Sequence, residues 1–312
     1  MTPGAAPARR VLLVAHTGRS EAVSAAREML SLLVDLGLAV SILAEEALEL
    51  GSGGVVGLVA SDRPAVARHS PADGCELVIV MGGDGTILRG AELVRGTPVP
   101  LLGVNLGHVG FLAESERENL AETAKRIVER DYEVEERMTI DVTVLVEGQV
   151  VARSWALNEA SVEKASSERM LQLVIEVDGR PLSTVGCDGV ILATPTGSTA
   201  YAFSAGGPVV WPQVEALLLV PNAAHALFAR PLVVAPTSRL AVEVLGEGPG
   251  TGVMWCDGRR RFELARGARV EATRGAVPVR LARLVSGPFT DRLVAKFRLP
   301  VHGWRGQEPA GS

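Results

Sequence analysis

Two glycine-rich segments carry the residue types best suited to chemistry. The first, Gly82–Thr86, has the sequence Gly-Gly-Asp-Gly-Thr, and the second, Ala193–Pro208, consists mostly of small residues, hydroxyl residues and glycines. Glycine lets a ligand approach the backbone closely, and hydroxyl groups both donate and accept hydrogen bonds. The two segments together predict a binding site for a polar ligand that carries phosphate.

Asp84 is the only carboxylate residue in the first segment. The segment follows the apolar run 77–81, so it lies where open α/β sheets bind ligands, and the N-terminus of a following helix favours an anion. A carboxylate repels phosphate unless it has a task of its own, such as accepting a proton from a hydroxyl nucleophile or helping to hold a metal. The alternative is a tight turn in which Asp84 caps the helix.

Composition excludes several classes of protein. The chain has 31 Lys and Arg against 36 Asp and Glu, a formal charge of −5, which argues against general nucleic-acid binding. Its three cysteines are far apart and form no C-x-x-C pair, so neither a disulfide framework nor a zinc site is indicated, and a reducing cytoplasm fits.

We expect no membrane span, because no uncharged apolar stretch reaches ~20 residues. The P-loop and G-x-G-x-x-G nucleotide motifs are absent as well.

The first third of the chain alternates between strand and helix patterns, which predicts a doubly wound α/β domain. The expected strands are 11–15, 38–43, 77–81 and 99–104, and the expected helices are 20–36, 86–95 and 115–130.

From Tyr132 onward strands dominate, with Glu147-Gly148 and Asp178-Gly179 as hairpin turns. We predict an N-terminal α/β domain over 1–136, completed by the tail 288–312, and a C-terminal β-rich, sandwich-like domain over 137–287. The run Arg259–Arg261 is interpreted as a solvated hairpin end, with a phosphate contact as the less favoured alternative. The expected strands are 140–146, 150–157, 170–177, 189–192, 240–245, 252–256, 262–264 and 277–285, and the tail contains a helix over 290–297.

These motifs resemble a known family. Gly82–Thr86 is similar to the GGDGT motif shared by NAD kinases, diacylglycerol-type lipid kinases and phosphofructokinases, and 194–208 closely resembles the TPTGSTAY-x-x-S-x-GGP signature of NAD kinases. The resemblance covers nearly the whole chain, and the family combines an N-terminal α/β domain with a β-rich one. Further matching segments follow in the family's order: Asn158-Glu159, 105–112, 228–232 and Asp257-Gly258.

The resemblance implies phosphoryl transfer from ATP or polyphosphate to the 2′-hydroxyl of the adenosine ribose of NAD, with Asp84 as proton acceptor. It also implies a divalent metal, Mg²⁺ above others, and a cytoplasmic homo-oligomer, a dimer or tetramer. The implied phosphate-donor loop comprises Gly82, Gly83, Gly85 and Thr86. The implied substrate-binding residues are Asp84, Gly85, Arg89, Asn158, Glu159, Arg169, Asp188, Thr199, Ala200, Tyr201, Ala202, Phe203 and Ser204.

Several of these residues have ordinary alternatives on chemistry alone. Arg89 is equally consistent with a solvated helix arginine, Asp188 with a turn, and Tyr201 and Phe203 with core packing. Gly186 departs from the family, because many relatives have a basic residue two positions before the aspartate aligned with Asp188. A ligand contact from that side chain is therefore not carried over.

Two rival functions remain open. A lipid kinase would use the same GGDGT loop but needs a membrane-binding face, and no basic amphipathic helix is evident. A dinucleotide-binding sensor would keep the fold without catalysis, but it has little need of Asp84. The sequence leaves the phosphate donor and the choice between NAD and NADH undecided.

Overall fold

The computed structural model of the protein describes residues 9–51, 54–60, 70–106, 110–113, 119–165, 170–226, 228–245, 252–284 and 287–301. The chain divides into two compact units. The first comprises Met1–Glu135 and Arg280–Ser312, and the second comprises Glu136–Val279.

A seven-stranded sheet forms the centre of the first unit. Its strands are β1 (Arg10–Ala15), β2 (Ala39–Leu43), β3 (Val55–Val59), β4 (Leu77–Met81), β5 (Leu101–Val104), β6 (Glu133–Arg137) and β19 (Val279–Arg283). The order is β3-β2-β1-β4-β5-β19-β6, and β1 to β5 and β19 pair in parallel. Parallel strands covered on both faces are expected to be continuous apolar runs, as β4 is.

The first unit also contains helices. They are α1 (Ser20–Asp35), α2 (Ala47–Leu50), α3 (Asp84–Val94), α4 (Leu120–Glu129) and α6 (Phe289–Phe297). α1 and α4 share a core with Leu77, Ile79 and Met81 of β4. α3 packs on the opposite face, since successive strand residues point to opposite sides. A Cβ atom at Gly90 of α3 would lie 2.6 Å from Val80 Cγ2, so glycine permits this close packing.

The second unit consists of two six-stranded antiparallel sheets. One has the strands β7 (Ile140–Val146), β8 (Gln149–Ala156), β10 (Leu171–Val177), β11 (Arg180–Cys187), β15 (Leu240–Val244) and β18 (Arg269–Arg274). The other has β9 (Glu159–Lys164), β12 (Gly189–Ala193), β13 (Leu217–Asn222), β14 (Leu232–Val234), β16 (Gly252–Cys256) and β17 (Arg260–Leu264). A single apolar core takes buried residues from both sheets, as in a sandwich.

The predicted fold class, a doubly wound α/β domain followed by a β-rich, sandwich-like one, is confirmed. The hairpin turns are confirmed too: Glu147 and Asp178 have φ of 50° and 54° and each precedes a glycine with positive φ. The helix expected from Thr86 begins two residues earlier, at Asp84. Within the described ranges, no helix is long and apolar enough to cross a membrane.

Candidate active site

A cavity of about 380 Å³ opens at the carboxyl end of the parallel sheet in the first unit. Strand β1 pairs with β2 on one side and β4 on the other, so the strand order reverses between β1 and β4. Such a reversal leaves a crevice above the sheet, which is where α/β proteins bind ligands. The cavity is lined by His16, Arg19, Glu21, Ala22, Gly82, Gly83, Asp84, Asn105, Leu106, Gly110 and Lys296.

The glycines of the Gly82–Thr86 loop differ in what surrounds them. A Cβ atom at Gly82 would lie 2.5 Å from Thr86 Oγ1, so the fold itself requires glycine there. A Cβ atom at Gly83 or Gly85 would have no neighbour within 4 Å among the described atoms, and neither residue has a positive φ. The fold therefore does not need glycine at these two positions, whereas a ligand lying against the backbone does.

Asp84 is the first residue of α3, and its carboxylate is held in place by the backbone beyond β5. Its two oxygens accept hydrogen bonds from the Phe111 and Leu112 amides, at 3.4 and 3.2 Å. A Cβ atom at Gly110 would lie 2.5 Å from Asp84 Oδ1, so glycine is needed beside it. Asp84 is not a helix cap, because α3 has no side-chain capping bond. It presents a fixed, half-buried carboxylate to the cavity.

The cavity is also lined by three basic residues, which the sequence did not predict as part of the site: His16, Arg19 and Lys296. A signal was available for His16 and Arg19, because they lie within four residues of the end of β1, one of the two strands at the reversal point. Nothing in the sequence connects Lys296 with His16 and Arg19, since it lies at the far end of the chain, in α6. Arg19 and Lys296 give the cavity positive charge to offset Asp84 and Glu21.

Arg89, on the second turn of α3, is held by two carboxylates. Its guanidinium lies 2.7 Å from Glu46 Oε1 and 3.0 Å from Glu45 Oε1. Glu46 is buried and also accepts the Ala15 amide at 2.9 Å. Burial raises the pKa of Glu46 to about 7, although Arg89 and the amide oppose the shift. The structure thus shows Arg89 joining α3 to the segment after β2, and a ligand would compete with both carboxylates for it.

In the second unit, Asn158 and Glu159 lie at the start of β9, and the second glycine-rich segment packs on them. The Thr194 amide donates to the Asn158 carbonyl at 2.9 Å. A Cβ atom at Gly197 would lie 2.1 Å from that carbonyl oxygen, so no larger residue fits without moving the backbone. The packing fixes the position of Asn158 against the turn 196–199.

Glu159 has a buried carboxylate that is not fully satisfied. The residue is 8% exposed, and its Oε2 has no hydrogen-bond partner among the described residues. Burial raises the pKa of Glu159 to about 8, the nearby charge of Asp257 adds to the rise, and a hydrogen bond from the Tyr201 backbone opposes it. Buried polar atoms without partners are rare in proteins, so this oxygen points to a ligand that supplies the missing bond.

The other predicted residues of this segment have different surroundings. Ala202 is buried in an apolar cluster with residues of β12 and β13, so its side chain does not reach the surface. Phe203 is 39% exposed and Ser204 is exposed. Thr199 ends the turn 196–199 and Ala200 follows it, both half-buried, before the short helix α5 (Tyr201–Ser204).

Contacts connect Tyr201 with Asp188. The Tyr201 hydroxyl accepts a hydrogen bond from Asn222 Nδ2 at 3.2 Å, and the Asp188 amide donates to the Asn222 carbonyl at 3.1 Å. The Asp188 carboxylate lies 2.6 Å from Lys164 Nζ. Tyr201 therefore lies between the two ends of β9, because its backbone bonds to Glu159 and its hydroxyl to Asn222 beside Asp188. Glu159 begins β9 opposite Ala193, whereas Asp188 lies at the other end of that strand, where its carbonyl accepts the Lys164 amide at 3.0 Å. Arg169 lies outside the described residues.

Two further positions bear on the sequence interpretation. At Gly186 a Cβ atom would lie 2.8 Å from Gln172 Nε2, so the glutamine occupies the space that a larger side chain at this position would need. The interpretation of Arg260 as solvated was wrong. It does lie beyond a hairpin turn, but its guanidinium is partly buried, pairs with Asp257 at 2.8 Å and lies 4.6 Å above the Trp155 ring.

A first prediction concerns Glu159 and pH. Its pKa rises from 4.5 in the unfolded chain to about 8, so the folded protein retains a proton that the unfolded chain loses. The free energy of unfolding should therefore fall as the pH rises from about 5 to 8, by on the order of a few kcal/mol from this group. Glu159→Gln, which resembles the protonated acid, should flatten this fall in ligand-free thermal unfolding. If the free energy of unfolding depended on pH in the same way in parent and variant, the raised pKa of Glu159 would be wrong. Glu46 also has a raised pKa, but it contributes equally to both proteins and does not affect the comparison.

Comparison with known proteins matches two family models to two separate parts of the chain. The family described as ATP-NAD kinase N-terminal domain matches residues 11–132, and the family described as ATP-NAD kinase C-terminal domain matches residues 157–284. The chain is 61% identical over 298 residues to NAD kinase 2 of Streptomyces coelicolor, covering 96% of this chain and 97% of that protein. It is 60% identical to the NAD kinase of Thermobifida fusca over 306 residues, covering 96% and 92%.

Two solved structures share the fold. The NAD kinase from Archaeoglobus fulgidus in complex with ATP superposes with a TM-score of 0.68 at 26% identity, covering 93% of this chain and 98% of that one. Yeast NADH kinase complexed with NADH superposes with a TM-score of 0.82 at 20% identity, covering 98% and 90%. The second likeness concerns the fold alone.

Proposed function

We infer the activity from one premise: the chain belongs to the NAD kinase family. It is a phosphotransferase that moves the terminal phosphoryl group of ATP to the 2′-hydroxyl of the adenosine ribose of NAD and gives NADP. The alternative of a lipid kinase is not favoured, since the family match covers both units. The observation that carries the proposal is Asp84, a fixed carboxylate facing a cavity whose loop glycines leave room for a ligand.

Asp84 is proposed as the proton acceptor. As the ribose 2′-oxygen bonds to the γ-phosphorus, the bond from that phosphorus to the β–γ bridging oxygen breaks, ADP leaves, and the hydroxyl proton passes to Asp84. Phosphoryl transfer depends on positioning and charge neutralisation more than on a strong base. The bonds from Phe111 and Leu112 hold the carboxylate at a set angle and so serve positioning.

We propose the cavity of the first unit as the phosphate-donor site. Gly83 and Gly85 let the phosphates approach the backbone, and Arg19 and Lys296 offset their charge. The donor is ATP or polyphosphate. Backbone amides at the start of α3 add to the attraction, since helix N-termini bind anions.

We propose that a divalent metal, preferably Mg²⁺, binds in this cavity together with the phosphates of the donor. Among the described residues no group of three or more His, Cys, Asp or Glu is arranged to hold a metal. Mg²⁺ is commonly held by one or two carboxylates together with substrate phosphates. Asp84 and Glu21 are the carboxylates that line the cavity. When bound, the metal would neutralise phosphate charge.

We propose the second unit as the dinucleotide-binding domain. Asn158, Glu159, Asp188 and Tyr201 would hydrogen-bond to NAD, and the unpartnered Glu159 Oε2 supports this assignment. Thr199, Ala200, Phe203 and Ser204 would contact it beside them, with Ala202 contributing through its backbone. We further propose a cytoplasmic homo-oligomer, for which the exposed apolar side chains of Trp211, Val214, Phe228 and Val233 give support.

A coupled assay tests the activity. Purified protein is incubated with NAD, Mg²⁺ and either ATP or polyphosphate, and NADP is detected with an NADP-specific dehydrogenase. NADP formation with one donor or both supports the proposal and identifies the donor. Measurable NAD binding without NADP from any donor would instead favour a dinucleotide-binding sensor, and no NAD binding would reopen the lipid-kinase alternative.

A further inference from the structure

Asp257 is a turn residue with an unusual environment. It and Gly258 form the turn between β16 and β17 with φ of 53° and 64°, closed by a hydrogen bond from the Arg259 amide to the Cys256 carbonyl at 3.1 Å. Aspartate tolerates this left-handed conformation, but such residues normally face water. Asp257 is only 5% exposed. Its burial therefore needs an explanation beyond turn formation.

The carboxylate of Asp257 binds the backbone just where β9 begins. Oδ1 accepts hydrogen bonds from the amides of Asn158 at 2.8 Å and Glu159 at 3.3 Å. Oδ2 accepts the Leu157 amide at 3.0 Å and the Arg260 guanidinium at 2.8 Å. The Asp257 amide in turn donates to the Glu159 carbonyl at 2.9 Å. Three consecutive amides thus converge on a single side chain.

This arrangement is strong and specific. Hydrogen bonds to an ionised acceptor are roughly twice as strong as neutral ones, and a buried carboxylate is stable only when its lone pairs are used. Arg260 supplies the compensating charge and is itself seated 4.6 Å above the Trp155 ring. The two residues whose amides share Oδ1 are Asn158 and Glu159, so the direction of their side chains depends on Asp257.

We propose that Asp257 is a positioning residue for dinucleotide recognition: its carboxylate sets the backbone of Leu157–Glu159 and thereby aims the side chains of Asn158 and Glu159 at NAD. The proposal rests on the proposed function for the identity of the ligand. Asp257 acts through these two residues and does not itself touch the substrate.

The chain contains a matched control. Asp178 also has a left-handed backbone, with φ of 54°, also precedes a glycine in a hairpin turn of the second unit, and also accepts a backbone amide, from Arg239 at 2.8 Å. Its carboxylate is exposed and makes no contact with the start of β9. Asp178→Asn therefore removes the same charge from the same kind of turn without altering the backbone of Asn158.

The test compares Asp257→Asn and Asp178→Asn in the full chain. An asparagine has one acceptor oxygen, so its NH₂ group would face amides that need an acceptor. We expect Asp257→Asn to raise both the calorimetric Kd and the KM for NAD about tenfold, because small misplacements of binding groups have effects of this size or larger. The KM for ATP should stay within twofold, and Asp178→Asn should match the parent in all three constants.

A pH profile separates positioning from a merely structural role. The charged and titratable groups that face Glu159 are Asp257 on the β16–β17 turn, Glu163 on β9 and Tyr201 on α5, and Asp257 is the larger of the two charge effects. Removing its charge should move the inflection of NAD binding to lower pH in Asp257→Asn. Asp178→Asn should leave the inflection where it is.

Circular dichroism and thermal unfolding establish that each variant is folded. Should Asp257→Asn not fold, Arg260→Gln is the second variant, because it removes one of the two bonds to Oδ2 while keeping the carboxylate. A rise in the NAD Kd of about threefold is then expected. A folded variant with an NAD Kd within twofold of the parent and an unshifted inflection overturns the proposal. Calorimetry reads binding without turnover, so an inactive parent protein would count against the proposed function and leave this test intact.

Discussion

Asp84→Asn is expected to lower kcat for NADP formation by about 10²- to 10⁴-fold, the usual contribution of a positioned proton acceptor. The Kd for NAD should change by no more than about threefold, since the substitution keeps the size of the side chain and most of the proposed dinucleotide contacts lie in the second unit. One of the two bonds from Phe111 and Leu112 loses its acceptor. That loss should lower the free energy of unfolding by only about 1 kcal/mol.

Asp131→Asn is the control for this experiment. Asp131 belongs to the same unit and pairs with Arg126, but its side chain is 63% exposed and lies away from the cavity lining. The same chemical change there should leave kcat unaltered. If Asp84→Asn retained turnover within a few-fold of the parent, the role of Asp84 as proton acceptor would be wrong, and a role in charge placement alone would remain.

Gly85→Ala is expected to lower kcat/KM about 10- to 100-fold while leaving the protein as stable as the parent or more so. A methyl group at this position meets no described atom within 4 Å, and alanine is favoured over glycine in a helix by up to about 1 kcal/mol. The methyl group would instead occupy the space into which the substrate must come. Steady-state kinetics and chemical denaturation of the same preparation measure the two effects.

Gly90→Ala in the same helix should lower the stability of the protein and leave its activity unchanged. Its Cβ atom would lie 2.6 Å from Val80 Cγ2 and 2.8 Å from Leu101 Cδ1, both in the core. Overpacking of this kind typically lowers stability by about 1–3 kcal/mol. Activity per folded molecule should persist. Full activity in Gly85→Ala would show that the open space at this glycine is not used by substrate.

The sequence predicted those strands and turns whose residue pattern has one local physical cause, such as burial on both faces or a left-handed backbone. The run 77–81 is apolar throughout because β4 is covered on both faces, and the hairpin turns at 147–148 and 178–179 are predicted because few residue pairs adopt left-handed conformations readily. Strand β6, Glu133–Arg137, is charged at four of its five positions and gave no such pattern. Its place at the sheet edge depends on pairing with β19, which arrives from the far end of the chain.

The site was predictable only in part, for a similar reason. Asp84 and the loop glycines stand in one short segment, so their chemistry is visible locally. The pairing of Arg89 with Glu46, the cavity position of Lys296 and the anchoring of Asn158 by Asp257 join residues 43 to 200 positions or more apart. Such contacts are decided by tertiary packing. Strand β9 was not among the expected strands either: it begins at Glu159, directly after the segment 150–157 that was expected to form one strand.

The most direct test of the account is ³¹P NMR of the product formed from NAD, ATP and Mg²⁺ by the purified protein, with Asp84→Asn run in parallel. We predict a new phosphomonoester signal coupled to the 2′ position of the adenosine ribose, a matching amount of ADP, and neither signal from the variant over the same time. ADP without a 2′-phosphate, or equal product from the variant, would contradict it.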